Sequence, residues 1–166
     1  VMEKQLSAGL TADAVRTLHE AQDALEKLAQ QEAPPSSPPP LPKTINALLV
    51  EDDPNEEALL SSYLRLSGFS VETAHDGYEA MDFLSSHARP DFLLLDMRLP
   101  RFDGPSMVAA VRKNPAYRDL KIFAVTGSSP SEFDLANGPA GVDAWFQKPL
   151  NPRRIVEAMS AAASRN

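Results

Sequence analysis

The sequence predicts an α/β fold, a (βα)5 doubly wound parallel five-stranded sheet that is preceded by an N-terminal helix. Three observations support this prediction. Short apolar runs recur at residues 45–50, 92–95 and 122–125, and strands that are apolar on both faces are typical of a parallel sheet covered by helices. Amphipathic segments of helical length separate these runs. A proline-rich stretch sets residues 1–33 apart from the rest.

Length and composition narrow the class of protein. The chain has 166 residues, with 16 basic and 23 acidic residues and a net charge of −7, which disfavours non-specific binding to DNA or to anionic membranes. The absence of cysteine excludes disulfide scaffolds and cysteine-ligated metal sites. No apolar run reaches the roughly 18–20 residues that span a bilayer, and the first residues lack the pattern of a signal peptide. We therefore expect a cytoplasmic protein.

Residues 1–33 are predicted to form one amphipathic helix. Thr11 is a suitable N-cap, and apolar residues after it recur at alternating spacings of four and three, the a/d pattern of a short coiled coil. Three interpretations stay open: an amphipathic helix that lies on another surface, a coiled coil that pairs two chains, and a piece of a neighbouring domain. The a/d residues are Ala14, Leu18, Ala21, Leu25 and Leu28.

Residues 34–43 are rich in proline and are predicted to form a semi-rigid linker. The stretch Pro39–Pro42 also fits a PxxP ligand. From residue 44 to residue 166, strand-like runs alternate with helical segments, and Gly68 marks the end of the first helix. The predicted strands are 45–50, 69–73, 92–95, 122–125 and 142–147, and the predicted helices are 54–67, 78–88, 106–113, 131–136 and 152–163.

The first of these helices is expected to present Leu59, Tyr63 and Leu66 on its apolar face. A sheet of this size most often has the flavodoxin-like strand order 2-1-3-4-5, in which ligands bind at the carboxyl ends of the strands. Crowded carboxylates repel one another there, and a magnesium ion would relieve the repulsion. A central carboxylate could accept a phosphoryl group, with a lysine to balance its charge. The residues at these ends are Glu51, Asp52, Asp53, Asp96, Thr126 and Lys148.

These motifs resemble the receiver domain of response regulators in two-component signalling. The resemblance covers about residues 44–165 and lies in LLVEDDP, AHDGYEAM, LLLDMRLPRFDG, VTG and FQKP, each at the expected element. It implies that Asp96 is the phosphoacceptor. It also implies that Asp52 and Asp53 hold Mg²⁺ with the backbone carbonyl of Met97, Asp53 being the direct ligand and Asp52 acting directly or through water.

The resemblance assigns roles to the later motifs as well. Thr126 and Lys148 would contact the phosphoryl group, and Gly104 and Pro149 would shape their loops. The bond between Lys148 and Pro149 resembles the family's cis peptide, which is accessible because proline follows.

Three features depart from the family pattern. The switch aromatic falls on Trp145, which either rotates with Thr126 or serves only in packing. Arg98, two residues after Asp96, could pair with Glu51 or with a phosphoryl oxygen, or could point into solvent. The predicted helix 131–136 is short, because Gly138, Pro139 and Gly141 follow it at once.

The function that the resemblance implies is a phosphorylation-dependent switch. A histidine kinase or phosphotransfer protein would phosphorylate Asp96 with Mg²⁺, and the domain would change its affinity for a downstream protein; we expect no DNA-binding output domain, no membrane contact and no enzymatic turnover. A homodimer could form through the N-terminal helix or the receiver. The alternatives are a pseudo-receiver that acts as a binding scaffold and an aspartate-nucleophile phosphatase, which Arg98 disfavours because it stands where such enzymes need an acid.

Overall fold

A computed structural model describes residues 3–31 and 43–165, with side chains in the first segment described from residue 14 to residue 28. The chain divides into two compact units after Lys43. The predicted linker lies outside the described residues, apart from Lys43. Among the described residues, no helix combines the length and the apolar character that crossing a bilayer requires.

The first unit contains α1 (Glu3–Gln31), a helix of 29 residues and therefore about 43 Å long. It begins at Glu3, so the prediction that Thr11 caps its start is wrong. The residues before Thr11 include Glu, Lys, Gln, Leu and Ala, which favour a helix. The large apolar side chains of the a/d pattern are exposed, with Leu18 at 65%, Leu25 at 66% and Leu28 at 59%.

The second unit is built on a parallel sheet of five strands in the order β2-β1-β3-β4-β5. The predicted fold class and strand order are therefore confirmed. Strand ends differ from the prediction by at most two residues. The strands are β1 (Asn46–Val50), β2 (Ser70–Ala74), β3 (Phe92–Asp96), β4 (Lys121–Thr126) and β5 (Ala144–Gln147).

Four helices cover the two faces of this sheet. An Asp or Asn side chain at each N-cap accepts backbone N–H groups of the first turn, which satisfies donors that have no partner within the helix. The helices are α2 (Pro54–Leu66), α3 (Gly77–Ser86), α4 (Gly104–Lys113) and α5 (Pro152–Ala163).

Alternate residues of each central strand face opposite layers of the core. In β3, Leu93 and Leu95 pack with α3 and α4, whereas Phe92 and Leu94 pack with α2 and α5. All five residues of β3 are buried. The central strand is therefore held from both sides, and its carboxyl end is a fixed point for the residues that follow.

The buried face of α2 is not the predicted one. Leu60 and Leu64 are buried at 3% and 0% exposure, whereas Leu59 and Leu66 are 64% and 90% exposed and Tyr63 lies at the boundary. Leu60 and Leu64 lie one position after Leu59 and Tyr63, so both pairs have the spacing of residues on one helix face. Packing against α5 and the sheet, rather than spacing alone, selects the buried set.

The connection between β4 and β5 contains two short 3-10 turns, Pro130–Glu132 and Gly138–Ala140, instead of the predicted helix 131–136. That helix prediction is wrong because the segment is too short to nucleate a helix between Pro130 and the Gly138–Pro139 pair. Gly138 has a φ of 83°, which interrupts a right-handed helix.

A buried ion pair ties this connection to the sheet. The guanidinium of Arg112 contacts Asp143 Oδ2 at 2.9 Å and donates to the carbonyl oxygens of Gly141 and Leu120, each at 2.9 Å. Asp143 Oδ2 also accepts the N–H of Ile122 at 2.9 Å. The Arg112 and Asp143 side chains are 9% and 12% exposed. Lys121 Nζ lies 4.0 Å from Asp143 Oδ1, so Arg112 is the nearer of two cations beside this carboxylate.

We predict that Arg112→Met destabilises the protein by about 1–3 kcal/mol, because Asp143 and the carbonyl oxygens of Gly141 and Leu120 would lose their donor. Lys121, at 4.0 Å, would be the remaining cation beside Asp143. Arg153→Met is the matched control, since Arg153 forms an exposed pair with Glu157 and such pairs contribute about 0–1 kcal/mol. Urea unfolding measures both. Equal losses in the two variants would contradict a structural role for the buried pair.

Candidate functional site

The carboxyl ends of the strands bring most of the predicted site residues together. Asp96 ends β3 and pairs in register with Val125 of β4. Thr126 ends β4, Glu51 directly follows β1 and Lys148 directly follows β5. Glu51, Asp96 and Thr126 are buried, at 4%, 5% and 0% exposure. Acidic, hydroxyl and cationic groups therefore meet at one buried edge of the sheet.

The ammonium group of Lys148 contacts three carboxylates. Its Nζ lies 3.0 Å from Asp96 Oδ2 and 3.4 Å from Glu51 Oε2, and it also donates to Glu56 Oε2. The peptide bond between Lys148 and Pro149 is cis, as the resemblance implies. Glu56, in the first turn of α2, is a site residue that the sequence analysis missed. The sequence did carry a signal for it, because Glu56 is an acidic residue three positions after the acidic triplet of residues 51–53.

The carboxylate of Asp96 is held by a hydrogen bond on each oxygen. Oδ1 accepts the backbone N–H of Arg98 at 2.9 Å, and Oδ2 accepts Lys148 Nζ. The N–H of the next residue, Met97, donates to the carbonyl of Val125 at 2.9 Å and so fixes the start of the loop. An oriented carboxylate of this kind is suited to act as a nucleophile.

Burial and neighbouring charges shift two protonation equilibria in this site. Burial raises the pKa of the Glu51 carboxyl to about 7, and the negative charge of Asp96 adds to the effect. Partial burial alone would lower the pKa of the Lys148 ammonium, but its hydrogen bonds to Glu56 and Asp96 outweigh burial and raise the pKa. Lys148 is therefore a permanent positive charge, while Glu51 can take up a proton near neutral pH.

Three carboxylates at this edge could hold a divalent cation. Oxygen atoms of Glu51, Asp52 and Asp96 all lie within 4.8 Å of one another. Mg²⁺ prefers hard oxygen ligands and keeps several of its waters. Asp52 is exposed and the other two carboxylates are buried, so the site is open to solvent on the Asp52 side, where those waters can bind. The donor set therefore fits Mg²⁺.

The structure does not bring Asp53 into this group, which corrects the expectation that Asp53 is the direct ligand. Its Oδ1 accepts the N–H groups of Asn55 at 2.8 Å and Glu56 at 3.1 Å, so it serves as the N-cap of α2. Its own N–H donates to Glu51 Oε1 at 3.1 Å. The acidic pair that faces Asp96 is Glu51 and Asp52, one position earlier in the chain.

The carbonyl of Met97, the fourth expected ligand, is positioned by Gly104. The N–H of Gly104 donates to that carbonyl at 3.2 Å, and a carbonyl oxygen has a second lone pair for another partner. The approach is close: a Cβ atom at residue 104 would lie 2.5 Å from Met97 Cα and 3.1 Å from the carbonyl oxygen of Asp96. Only glycine fits at this position without displacement of the loop.

Thr126 and Arg98 both contact Ser128. The Oγ1 atom of Thr126 accepts the N–H of Ser128 at 2.9 Å. The guanidinium of Arg98 contacts the hydroxyl of Ser128 and the carboxylate of Glu132. Of the alternatives expected for Arg98, pairing with Glu51 is wrong, since Glu51 pairs with Lys148 instead. Pairing with a phosphoryl oxygen stays a prediction, and the Arg98 side chain is 64% exposed.

Trp145, at the expected switch position, is half-buried. Its ring stacks on Phe133 with centroids 5.7 Å apart and an interplanar angle of 22°. Its Nε1 donates to Asn137 Oδ1 at 3.3 Å. Both partners belong to the connection between β4 and β5, so Trp145 packs against the same segment that Arg98 contacts.

Comparisons with known proteins agree with this arrangement. A family model described as the response regulator receiver domain matches residues 47–160. Response regulator MprA of Mycobacterium tuberculosis (strain ATCC 25618 / H37Rv) is 34% identical over 122 residues, 74% of this chain and 52% of that protein. MprA of Mycobacterium avium (strain 104) is 36% identical over 118 residues, 71% of this chain and 50% of that protein. The chain thus spans about half the length of the curated relatives it matches.

A similar solved structure is that of the chemotaxis response regulator CheY4 of Vibrio cholerae. It has a TM-score of 0.65 and 28% sequence identity, and covers 72% of this chain and 99% of that chain. Fold and site together define a receiver module of two-component signalling. The chain belongs to the response regulator receiver family, which confirms the resemblance found in the sequence. Receiver domains are signalling modules rather than enzymes in general, and they bind Mg²⁺ at an acidic pocket.

We predict that Gly104→Ala lowers the free energy of unfolding by about 1–3 kcal/mol, because the new methyl group overpacks the loop against Met97. It would also weaken Mg²⁺ binding measured by calorimetry, because the Met97 carbonyl would be displaced. Gly127→Ala is the control, since it also follows a strand of the site but has no atom within 4 Å of the added Cβ. Unchanged Mg²⁺ affinity in Gly104→Ala would contradict a role for this loop in the metal site.

Proposed function

We propose that this chain is a phosphorylation-dependent switch, in which Asp96 accepts a phosphoryl group from a histidine kinase or phosphotransfer protein. The observation that carries the proposal is the Asp96 carboxylate, buried at the end of β3 and oriented by Lys148 and by the Arg98 N–H. In the transfer, an oxygen of Asp96 forms a bond to phosphorus while the bond from phosphorus to the donor's imidazole nitrogen breaks. A cytoplasmic location accords with this function.

The other side chains of the site would stabilise the charge that the transfer brings. Lys148 would stay close enough to balance a phosphoryl oxygen, and Thr126 would donate its hydroxyl proton to another. When bound, Mg²⁺ would offset the charge of the carboxylates and of the phosphoryl group. Glu51, Asp52, Asp96 and the Met97 carbonyl would hold it.

The proposed output is a change in affinity for a protein partner. A phosphoryl group adds roughly −1.5 to −2 charge at a buried position, and it would favour whichever state of the surrounding loops offers more hydrogen-bond donors. A turn of Thr126 toward that group would break its hydrogen bond with Ser128. Trp145 would respond because it packs on the same segment.

We predict that the wild-type chain gains one phosphoryl group in intact-mass spectra after incubation with acetyl phosphate and Mg²⁺. Asp96→Asn should gain none, since an amide is a poor nucleophile, and omission of Mg²⁺ should greatly reduce the adduct. Asp91→Asn is the control, because Asp91 precedes the same strand at its other end. The assignment would be contradicted if Asp96→Asn gained as much phosphoryl adduct as the wild type. A pseudo-receiver would be favoured if the wild type gained no adduct even with a histidine kinase as donor.

We also propose that α1 pairs two copies of the chain. Its a/d residues are exposed, as described above, and its described charged residues all lie outside the a, d, e and g positions that meet a partner helix. Such a surface can pair with itself without charge repulsion. The charged residues are Arg16, Glu20, Asp23, Glu26 and Lys27.

The test of this pairing is the molar mass of the full chain by light scattering. We expect a dimer for the wild type and a monomer for a Leu18→Glu, Leu25→Glu double variant, because buried glutamates would face each other across the seam. Leu66→Glu is the control, as Leu66 is a leucine on α2 that is even more exposed, at 90%. A monomeric wild type, or one mass for all three proteins, would contradict pairing through α1.

A further inference from the structure

A polar bridge joins the loop after β3 to the connection between β4 and β5. The guanidinium of Arg98 contacts Ser128 Oγ through Nε at 3.1 Å and through Nη2 at 2.5 Å, and Nη2 lies 3.2 Å from Glu132 Oε2. We call these three residues the Arg98 bridge. It spans more than thirty positions of sequence and is the contact of Arg98 that the sequence did not indicate.

Two residues of the bridge each form a hydrogen bond with a residue of the phosphorylation site. The N–H of Arg98 donates to Asp96 Oδ1, and the N–H of Ser128 donates to Thr126 Oγ1, each at 2.9 Å. A change at Asp96 or a rotation of Thr126 therefore alters a hydrogen bond made by a residue of the bridge. Arg98 and Ser128 are thus both held to the site through their backbone N–H groups.

The bridge also leads to Trp145. Glu132 ends the first 3-10 turn of the connection, and the next residue, Phe133, stacks on the Trp145 ring. Asn137 accepts the indole N–H farther along the same segment. Because this connection lacks an α-helix, its position depends on such side-chain contacts rather than on a rigid helical ladder. A displacement of Glu132 would therefore reach Phe133 directly.

We propose that the Arg98 bridge couples the charge at Asp96 to the position of Phe133 and Trp145. This inference rests on the proposed function, since it concerns what a phosphoryl group at Asp96 would do. In the unphosphorylated chain the guanidinium holds Glu132. After phosphorylation, the dianion competes for the same guanidinium. Glu132, whose Oε1 still accepts the Ser129 N–H at 3.3 Å, then loses its tie to the loop after β3.

The contacts of the bridge favour such an exchange. The Arg98 and Glu132 side chains are 64% and 54% exposed, and exposed pairs of this kind contribute little to stability. A phosphoryl group carries more charge than a carboxylate and presents several oxygens to the planar fork of arginine. The backbone of Arg98 already lies against Asp96, so its side chain needs only to change rotamer. Arg98 is thus a positioning residue that acts through Glu132 and Ser128.

The experiment uses the lone Trp145 of the full chain as reporter. Glu132→Gln removes one charge of the bridge with little change of shape, and Arg98→Gln removes the other charge together with the guanidinium. Arg98→Lys keeps the charge but loses the planar guanidinium. Glu157→Gln is the control, because it breaks an exposed Arg–Glu pair of similar geometry on α5. Acrylamide quenching and emission of Trp145 are recorded before and after acetyl phosphate with Mg²⁺, and mass spectrometry gives the phosphorylated fraction of each sample.

We expect Trp145 to become more accessible to acrylamide in unphosphorylated Glu132→Gln and Arg98→Gln than in wild type. The change in emission per phosphorylated molecule should be largely lost in both variants and partly restored in Arg98→Lys. The Arg98→Gln, Glu132→Gln double variant should lose no more of this emission change than either single variant, since the two residues act as one unit. Glu157→Gln should behave as wild type.

Wild-type quenching and emission responses in Glu132→Gln would overturn the proposal, and so would an equal effect of Glu157→Gln. If Arg98→Gln does not fold, Glu132→Gln still decides the outcome. If the wild type takes up no phosphoryl group from acetyl phosphate or from a histidine kinase, the proposed function fails. The quenching comparison of unphosphorylated proteins then still tests whether the bridge positions Trp145, so the two failures can be told apart.

Discussion

The charge of Lys148 is the constraint on which the geometry of the site depends. Its ammonium contacts Asp96, Glu51 and Glu56, which come from three different elements. Two of these carboxylates are buried, where repulsion between like charges is strongest and an isolated charge is costly. One cation therefore holds together the ends of β1 and β3 and the first turn of α2. One ammonium against three carboxylates leaves this edge negative, so a divalent cation would be attracted to it and would favour the entry of a phosphoryl group.

The features that follow from burial were predictable from the sequence. A strand covered on both faces is apolar throughout, so runs such as Phe92–Leu95 that alternate with helical segments indicate the central strands. Parallel strands end at a common edge, and this alone places Asp96, Thr126 and Lys148 together. Burial also explains why the proposed phosphoacceptor, Asp96, is held rigidly. All five residues of β3 are buried, so the response to a charge at its end falls on the loops.

The features that depend on the direction of individual side chains were not predictable. Asp52 and Asp53 are neighbours of the same type, and only the geometry of the turn assigns Asp53 to the helix cap. The α2 sequence carries apolar residues on two adjacent stripes, and periodicity cannot choose between Leu59 and Leu60. The partners of Arg98 lie 30 and 34 positions away, beyond the reach of any local pattern.

The 3-10 turns between β4 and β5 have a consequence for how this domain can be recognised. A helix at that position would present a fixed row of side chains and would move as a body. The segment from Pro130 to Ala140 has few repeating backbone hydrogen bonds, so its amide protons should exchange with solvent faster than those of α5. A partner that docks there would meet a deformable loop, and its affinity would include the entropy lost when that loop is ordered.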